Sequence, residues 1–413
     1  MKTLAQDRTS ELPDGWQVER LGDACRIKTG KKDVNEGNPA GKYPFFTCSK
    51  EIHYSDSYSF DTEAILVAGN GAVGETKYFS GKFEAYQRTY VLDQFSAFAP
   101  YVFLFLKGTL VTELARLVTG STMPYIRKGD LENIEFPVPP LPEQRKIAGV
   151  LGLVQRAMEQ QERLIEKTAE LKKTLLHQLF TQGTRGEPQK QTDLGPVPES
   201  WEVVKLSEVC TFISGGTPSK QRPDFWEGTI PWASPKDMKR PRLRDVPDHI
   251  SDEALEDGSR LAPAGSIFVV IRGMILAKDV PVALAEVPMA FNQDMKAIIP
   301  GERISSAFLL YALGAFKRNL FEKVGRSAHG TMTLMSTEIS SFAIPLPDRK
   351  TQDEIATAIE TVETKLSHHR RKHATLSALF RTLLHQLMTA QLRVHDLELD
   401  GILEQAVQET DAP

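Results

Sequence analysis

The hexapeptide Thr174-Leu175-Leu176-His177-Gln178-Leu179 recurs letter for letter at Thr382-Leu383-Leu384-His385-Gln386-Leu387, 208 residues later. The offset holds upstream without a gap: Pro137 answers to Pro345, Pro139 to Pro347, Gln144 to Gln352, Ile147 to Ile355 and Ala148 to Ala356. A second correspondence opens each half. Pro13-Asp14-Gly15-Trp16 matches Pro198-Glu199-Ser200-Trp201, and Val18, Arg20, Leu21 and Cys25 follow in step with Val203, Lys205, Leu206 and Cys210 at an offset of 185. The chain is therefore one unit written twice, with extra residues in the middle of the second copy. A fixed frame around a variable centre is how binding domains diverge in specificity. A period this long marks a duplicated domain, not a solenoid.

Within each copy the pattern predicts a mixed domain followed by a long helix. Ala64-Ile65-Leu66-Val67, Tyr90-Val91-Leu92, Ser266 to Val270 and Ala297-Ile298-Ile299 are short apolar runs bounded by turn residues, which predicts buried strands. Ala99 to Thr119 and Ser305 to Val324 carry helical periodicity. The proline clusters Pro137 to Pro142 and Pro345 to Pro347 break what precedes them. Behind them, Glu143 to Phe180 and Gln352 to Met388 read as helices of roughly 55–60 Å at ~1.5 Å per residue. The first seam is Ile147, Val150, Val154, Ala157, Leu164, Leu171 and Leu175, interrupted by Gln161 and Thr168. The second is Ile355, Ile359, Val362, Leu366, Leu376, Phe380, Leu383 and Leu387, with His369 and His373 interrupting. Steps of three and four are a coiled-coil seam, and a helix this long finds its simplest partner in its own copy, running antiparallel.

The expected fold is α+β. Two mixed α/β domains are separated by two long helices that form an antiparallel coiled coil, in a pseudo-twofold duplicated arrangement. The expected boundaries are 1–140 and 198–347 for the domains, 141–182 and 348–390 for the helices, 183–197 for a polar Gly/Pro-rich linker, and 391–413 for an acidic tail.

Composition narrows the function classes. No apolar run approaches the ~20 residues that span a bilayer, and Met1 to Ser10 lacks an apolar signal core, so a cytoplasmic protein is expected. The three cysteines, Cys25, Cys48 and Cys210, are odd in number and form no Cys-x-x-Cys pair, so no disulfide framework or zinc site is indicated. Cys25 and Cys210 read as small core residues. A net charge of −4 argues against indiscriminate coating of nucleic acid, yet Lys220 to Arg244 is locally basic. No phosphate loop, Gly-x-Ser-x-Gly elbow, His-Glu-x-x-His or methyltransferase Asn/Asp-Pro-Pro-aromatic motif is present. No catalytic residue, metal or cofactor is expected. Gly69-Asn70-Gly71-Ala72-Val73-Gly74 imitates a dinucleotide fingerprint, but Glu75 to Phe79 reads as another strand, so Asn70-Gly71 predicts a hairpin.

With these residues in hand, the chain resembles the specificity (S) subunit of a Type I restriction–modification system. The features are the Pro-x-Gly/Ser-Trp openings at Pro13 and Pro198, Gly215-Gly216-Thr217-Pro218-Ser219, Pro140-Leu141-Pro142-Glu143-Gln144-Arg145-Lys146-Ile147, and the Leu-Leu-His-Gln-Leu helix ends. The resemblance covers nearly the whole chain. It implies two target recognition domains, each reading one half of a split site on double-stranded DNA. It also implies paired helices that space the domains and dock two methyltransferase (modification) subunits, with restriction/translocase subunits as further partners and no membrane. The subunit itself is not an enzyme. A duplicated coiled-coil adaptor that docks two proteins without DNA is the alternative.

Reading bases requires side-chain donors at base edges, and other basic and hydroxyl groups hold phosphates. In the second domain Thr217, Ser219, Lys220, Arg222, Lys236, Lys239 and Arg240 surround the Gly-Gly-Thr-Pro-Ser loop and are the candidate DNA contacts. The first domain offers Lys28, Lys31, Lys32 and Lys50 in the corresponding stretch. Late in each domain Ser121, Thr122 and Thr331 sit in equivalent small polar turns, Gly120 to Met123 and His329 to Met332.

Overall fold

The structure is a computed structural model and describes residues 12–117, 125–327 and 330–394. The chain divides into two compact units, residues 1–163 with 369–413 and residues 164–368.

In the first unit, β1 (Gln17–Arg20) leads into a six-stranded sheet built from β2 (Arg26–Thr29), β3 (Tyr43–Phe46), β4 (His53–Ser55), β5 (Phe60–Ala68), β6 (Thr76–Ala85) and β7 (Thr89–Asp93). The order is β2-β7-β5-β6-β3-β4. β8 (Glu135–Val138) returns antiparallel to β1. The run Ala64–Ala68 is wholly buried because both faces of β5 are covered. Ile65 and Val67 enter the main core under the helix Ala99–Leu117, while Ala64 and Leu66 enter a smaller core with Phe46 and Phe83. β5 and β6 pair antiparallel across Asn70-Gly71, with Gly71 at φ +62°. The glycine-rich segment is the expected hairpin, and no helix follows it.

In the second unit the segment read as a linker is itself ordered. β9 (Gln189–Thr192) and β10 (Gly195–Pro198) form a hairpin, with Val197 fully buried. β11 (Glu202–Lys205) opens the domain. Then come β12 (Cys210–Ser214), β13 (Ile230–Ala233), β14 (Arg242–Leu243), β15 (His249–Ile250), β16 (Leu261–Ala262), β17 (Ile267–Val270), β18 (Val282–Ala285), β19 (Met289–Phe291) and β20 (Met295–Pro300). They form a five-stranded sheet, β12-β20-β17-β18-β14, and a four-stranded sheet, β15-β13-β19-β16. β21 (Gly325–Arg326) and β22 (Met332–Thr333) make a small hairpin. β23 (Ala343–Leu346) closes on β11 as β8 closes on β1. The expected single helix from Ser305 to Val324 is two helices, Ser306–Ala315 and Lys317–Phe321. Phe316 breaks the run: it is buried against Phe180, within an aromatic group that includes Trp201 and Phe308.

The long helices span Leu141–Gln182 and Arg349–Met388. In the first unit Ile147, Val150 and Leu151 pack in one core with Phe380, Leu384 and Leu387. In the second, Leu179 and Phe180 share a core with Ile355 and Ile359. Within each unit residue numbers fall on one helix as they rise on the other: Ile147 to Leu151 share a core with Phe380 to Leu387 while Gln161 meets His369, and Lys172 meets Glu363 while Leu179 and Phe180 share a core with Ile355 and Ile359, so the pairing is antiparallel. The first seam differs from expectation at two places. Leu164 and Leu171 are 40 % and 54 % exposed, and the buried position is Gln161. Its Oε1 lies 2.9 Å from Nδ1 of His369, its own counterpart in the other helix. A polar pair thus occupies the contact, and the leucines turn outward.

The glutamine of the repeat explains how each helix is joined to its domain. Gln144 donates to Pro139 O (2.7 Å) and accepts from Phe98 N–H (2.7 Å). Gln352 does the same with Pro347 O (3.0 Å) and Ser305 N–H (2.9 Å), and also donates to Arg303 O (2.9 Å). Both side chains are buried. Each satisfies backbone groups that would otherwise lack partners where a domain helix begins.

Candidate nucleic-acid interface

The Gly-Gly-Thr-Pro-Ser loop leaves β12 and must pass two other backbone segments closely. A Cβ on Gly215 would lie 2.3 Å from Asn292 O, and one on Gly216 would lie 2.1 Å from Gly258 O. No larger residue fits at either place. Two indoles then fix the loop's carbonyls: Trp232 Nε1–H donates to Gly216 O (3.0 Å) and Trp226 Nε1–H to Ser219 O (3.3 Å). The rings meet edge to face, 5.0 Å between centroids at 81°.

This arrangement walls an open cavity of about 630 Å³ lined by Thr217, Lys220, Trp226, Trp232, Ser234, Lys236, Asp248, Asn292 and Gln293. Asn292 Nδ2 donates to Thr217 Oγ1 (3.1 Å), and Thr217 donates on to Gln293 Oε1. Lys236 Nζ donates to Asp248 (2.6 Å), a bond that holds its ammonium above the usual lysine range. Ser234 bonds Asp237 at the start of the turn Pro235–Asp237.

The structure brings together three residues expected from sequence, Thr217, Lys220 and Lys236, and adds Trp226, Asp248, Asn292 and Gln293. Ser219 is exposed on the same loop. Arg222 is exposed, bonded to Asp224 and stacked on Phe225 at 4.3 Å. The Asp224 hydrogen bond raises the guanidinium's pKa, and the carboxylate is lowered in turn. Lys239 and Arg240 are exposed at the turn before β14. Thr331 lies in the β21–β22 turn, where its carbonyl accepts from Ser327 N–H (2.8 Å) beside Gly330 at φ +81°.

The first unit repeats the frame with other groups. Gly30, the counterpart of Gly215, presses on Ala85 O, where a Cβ would lie 1.8 Å away. β3 runs parallel to β6 at Phe46–Ala85, as β13 runs parallel to β19 at Ala233–Phe291. Where Thr217 meets Asn292, Lys32 bridges to Tyr86. Lys32 is turned inward: its Nζ bonds Ser55 Oγ (2.9 Å) and Ser57 Oγ (2.7 Å) and lies 3.8 Å from the buried Glu84. Lys28 and Lys31 are exposed on and after β2. Lys50 is exposed at the rim of a separate cavity of about 320 Å³ with Glu75, Lys107 and Glu159. Ser121 and Thr122 lie outside the described residues.

Among the described residues no group of His, Cys, Asp and Glu is arranged to hold a metal, and no helix is long and apolar enough to cross a membrane. Burial pushes the thiols of Cys25 and Cys210 up to about 12, as expected of small core residues.

Known proteins share this design. A family model described as "Type I restriction modification DNA specificity domain" matches residues 13–167 and 198–377, one match in each copy of the repeat. The Type I restriction enzyme EcoDI specificity subunit of Escherichia coli is 37 % identical over 229 residues, which are 49 % of this chain and 51 % of that protein. The EcoR124I/EcoR124II specificity subunit of the same organism is 38 % identical over 38 % of this chain and 40 % of that one. The matches thus span about half or less of these two relatives. The MjaVIII specificity subunit of Methanocaldococcus jannaschii is 24 % identical across 94 % of this chain and 95 % of its own. Among solved structures, the Type I restriction–modification S subunit from M. genitalium has the same fold, with a TM-score of 0.64 and 18 % identity over 92 % of this chain and 98 % of that one.

Proposed function

The chain belongs to the family of Type I restriction modification DNA specificity domains, and on that premise we propose that it is the sequence-reading subunit of such a system, with one recognition domain per half of a bipartite duplex target. The observation that carries the reading is the double match, 13–167 and 198–377, laid over a frame repeated from Trp16/Trp201 to Gln144/Gln352. The alternative adaptor role has no comparable support.

In this reading the loop around Thr217 and Lys220 faces DNA in the second domain, with Lys28, Lys31 and Lys50 on the first and Lys239 and Arg240 beside the second. Lysines and arginines without a carboxylate partner are the groups best placed to replace counterions on phosphates. Arg222 and Lys236 carry their own carboxylates and exchange them for phosphate on binding. The long helices receive two methyltransferase subunits. Leu171 and Leu379, repeat counterparts on the two helices, are 54 % and 44 % exposed and offer each partner the same apolar contact. Methyl transfer and ATP-driven cleavage belong to the partner subunits, and the complex works in the cytoplasm.

The test is purification of the chain alone and with a modification subunit. The complex should bind duplex DNA with an affinity that falls steeply with salt and should methylate it; the chain alone should transfer no methyl group and hydrolyse no ATP. Either activity in the isolated chain contradicts the assignment.

A further inference from the structure

The orientation of the Asn292 amide in the second unit's cavity follows from one backbone donor. The N–H of Asp294 can only donate, and it donates to Asn292 Oδ1 at 2.7 Å. The other end of that side chain is therefore the amino group, and Thr217 Oγ1 accepts from it at 3.1 Å. The threonine proton is then directed to Gln293 Oε1. The relay ends with the Gln293 carbonyl turned onto Thr217 and its amino group, with two N–H donors, on the cavity side. Gln293 is exposed, and among the described residues its amino group makes no hydrogen bond. Lys220, another donor without an acceptor group, lines the same cavity.

The first unit does not repeat this. Its counterpart glutamine, Gln87, follows Tyr86 as Gln293 follows Asn292, but its Nε2 is bonded to Asp33 (3.2 Å). Asp33 stands where the second copy has Pro218. Among the described residues the amide's amino group is thus without a partner in one copy and donates to a carboxylate in the other.

We propose that Gln293 is a specificity-determining residue of the second recognition domain, held by the Asn292–Thr217 relay so that its N–H donors meet the acceptor edge of a guanine in the major groove. The proposal rests on the DNA-reading function above and deepens it. In the major groove guanine presents two adjacent acceptors, N7 and O6. Adenine pairs its N7 with a donor, cytosine shows an amino donor, and thymine pairs one acceptor with a methyl group. Asp248 in the same cavity is engaged by Lys236, and the two groups without a partner among the described residues, the Gln293 amino group and Lys220, are donors, which fit guanine best. Lys220 adds a cation to the same acceptor-rich edge, and the Trp226–Trp232 pair keeps the loop beneath it rigid.

The experiment takes the full chain with its modification subunit and selects its target from a random duplex DNA library. Relative affinities then follow for duplexes changed one base at a time. Gln293→Glu replaces the donors with an acceptor in nearly the same shape. Guanine preference at one position of one half-site should fall about 5- to 140-fold, the range of a good base-edge contact. Thr217→Val removes the relay and should relax the same position so that adenine is tolerated. The other half-site should keep its profile in both variants. Unchanged base preferences in both variants, or a lost preference for a base other than guanine, overturn the proposal and leave the bipartite reading standing. A wild-type complex that selects no sequence at all removes the functional reading itself.

Discussion

Gln352→Leu is the sharpest perturbation of the frame. The side chain is 1 % exposed and makes three hydrogen bonds, accepting from Ser305 N–H and donating to Arg303 O and Pro347 O at 2.9–3.0 Å. Leucine is close in volume, so packing changes little and the loss is polar. Three net bonds at about 1 kcal/mol each give ~3 kcal/mol. The Ser305 N–H left dry adds to this, while hydration near the exposed Arg303 subtracts, for a destabilisation of about 2–4 kcal/mol. Three of the four tryptophans, Trp201, Trp226 and Trp232, belong to the unit affected, so fluorescence in urea reports on it. With a urea slope of about 2 kcal/mol/M the midpoint should fall by roughly 1–2 M at unchanged slope. A loss below about 0.5 kcal/mol would refute the claim that this glutamine ties the second long helix to its domain.

Two further outcomes follow from the same geometry. Gly30→Ala and Gly215→Ala put a Cβ 1.8 Å and 2.3 Å from backbone oxygens that cannot swing aside. Each should destabilise its own unit by about 2–3 kcal/mol in thermal or denaturant melts, and a neutral result at either would contradict the close approach. At pH 8 the native protein should show one thiol reacting quickly with a disulfide reagent, Cys48. Cys25 and Cys210, pushed to about 12, are almost wholly protonated there and should react only after unfolding; three fast thiols in the native state would refute their burial.

Much of the frame was legible because the duplication wrote it twice. Trp16 and Trp201, Gln144 and Gln352, and the long helices all stand where the offsets put them. The role of the glutamines was not legible, since a match says two residues do the same thing without saying what. Periodicity places Leu164 and Leu171 in the first seam because it counts apolar residues. It cannot see that Gln161 and His369 satisfy each other at the contact while Leu164 and Leu171 are exposed. The candidate site was half legible. Thr217, Lys220 and Lys236 stand near a visible motif, but Asn292 and Gln293 come from the variable centre, where neither offset of the repeat holds. Only the close packing of the loop onto the end of β19 brings them together. Lys32 could be read only as a cation, since the hydroxyls that bind it come from Ser55 and Ser57, more than twenty residues away in sequence.

The form of the selected target is the most direct test of a two-domain reader. A random duplex library bound by the full complex should yield two specified half-sites separated by an unspecified gap, and exchanging residues 198–347 for the matching domain of another family member should rewrite one half and leave the other intact. A single uninterrupted motif, or a change in both halves after the exchange, would contradict it.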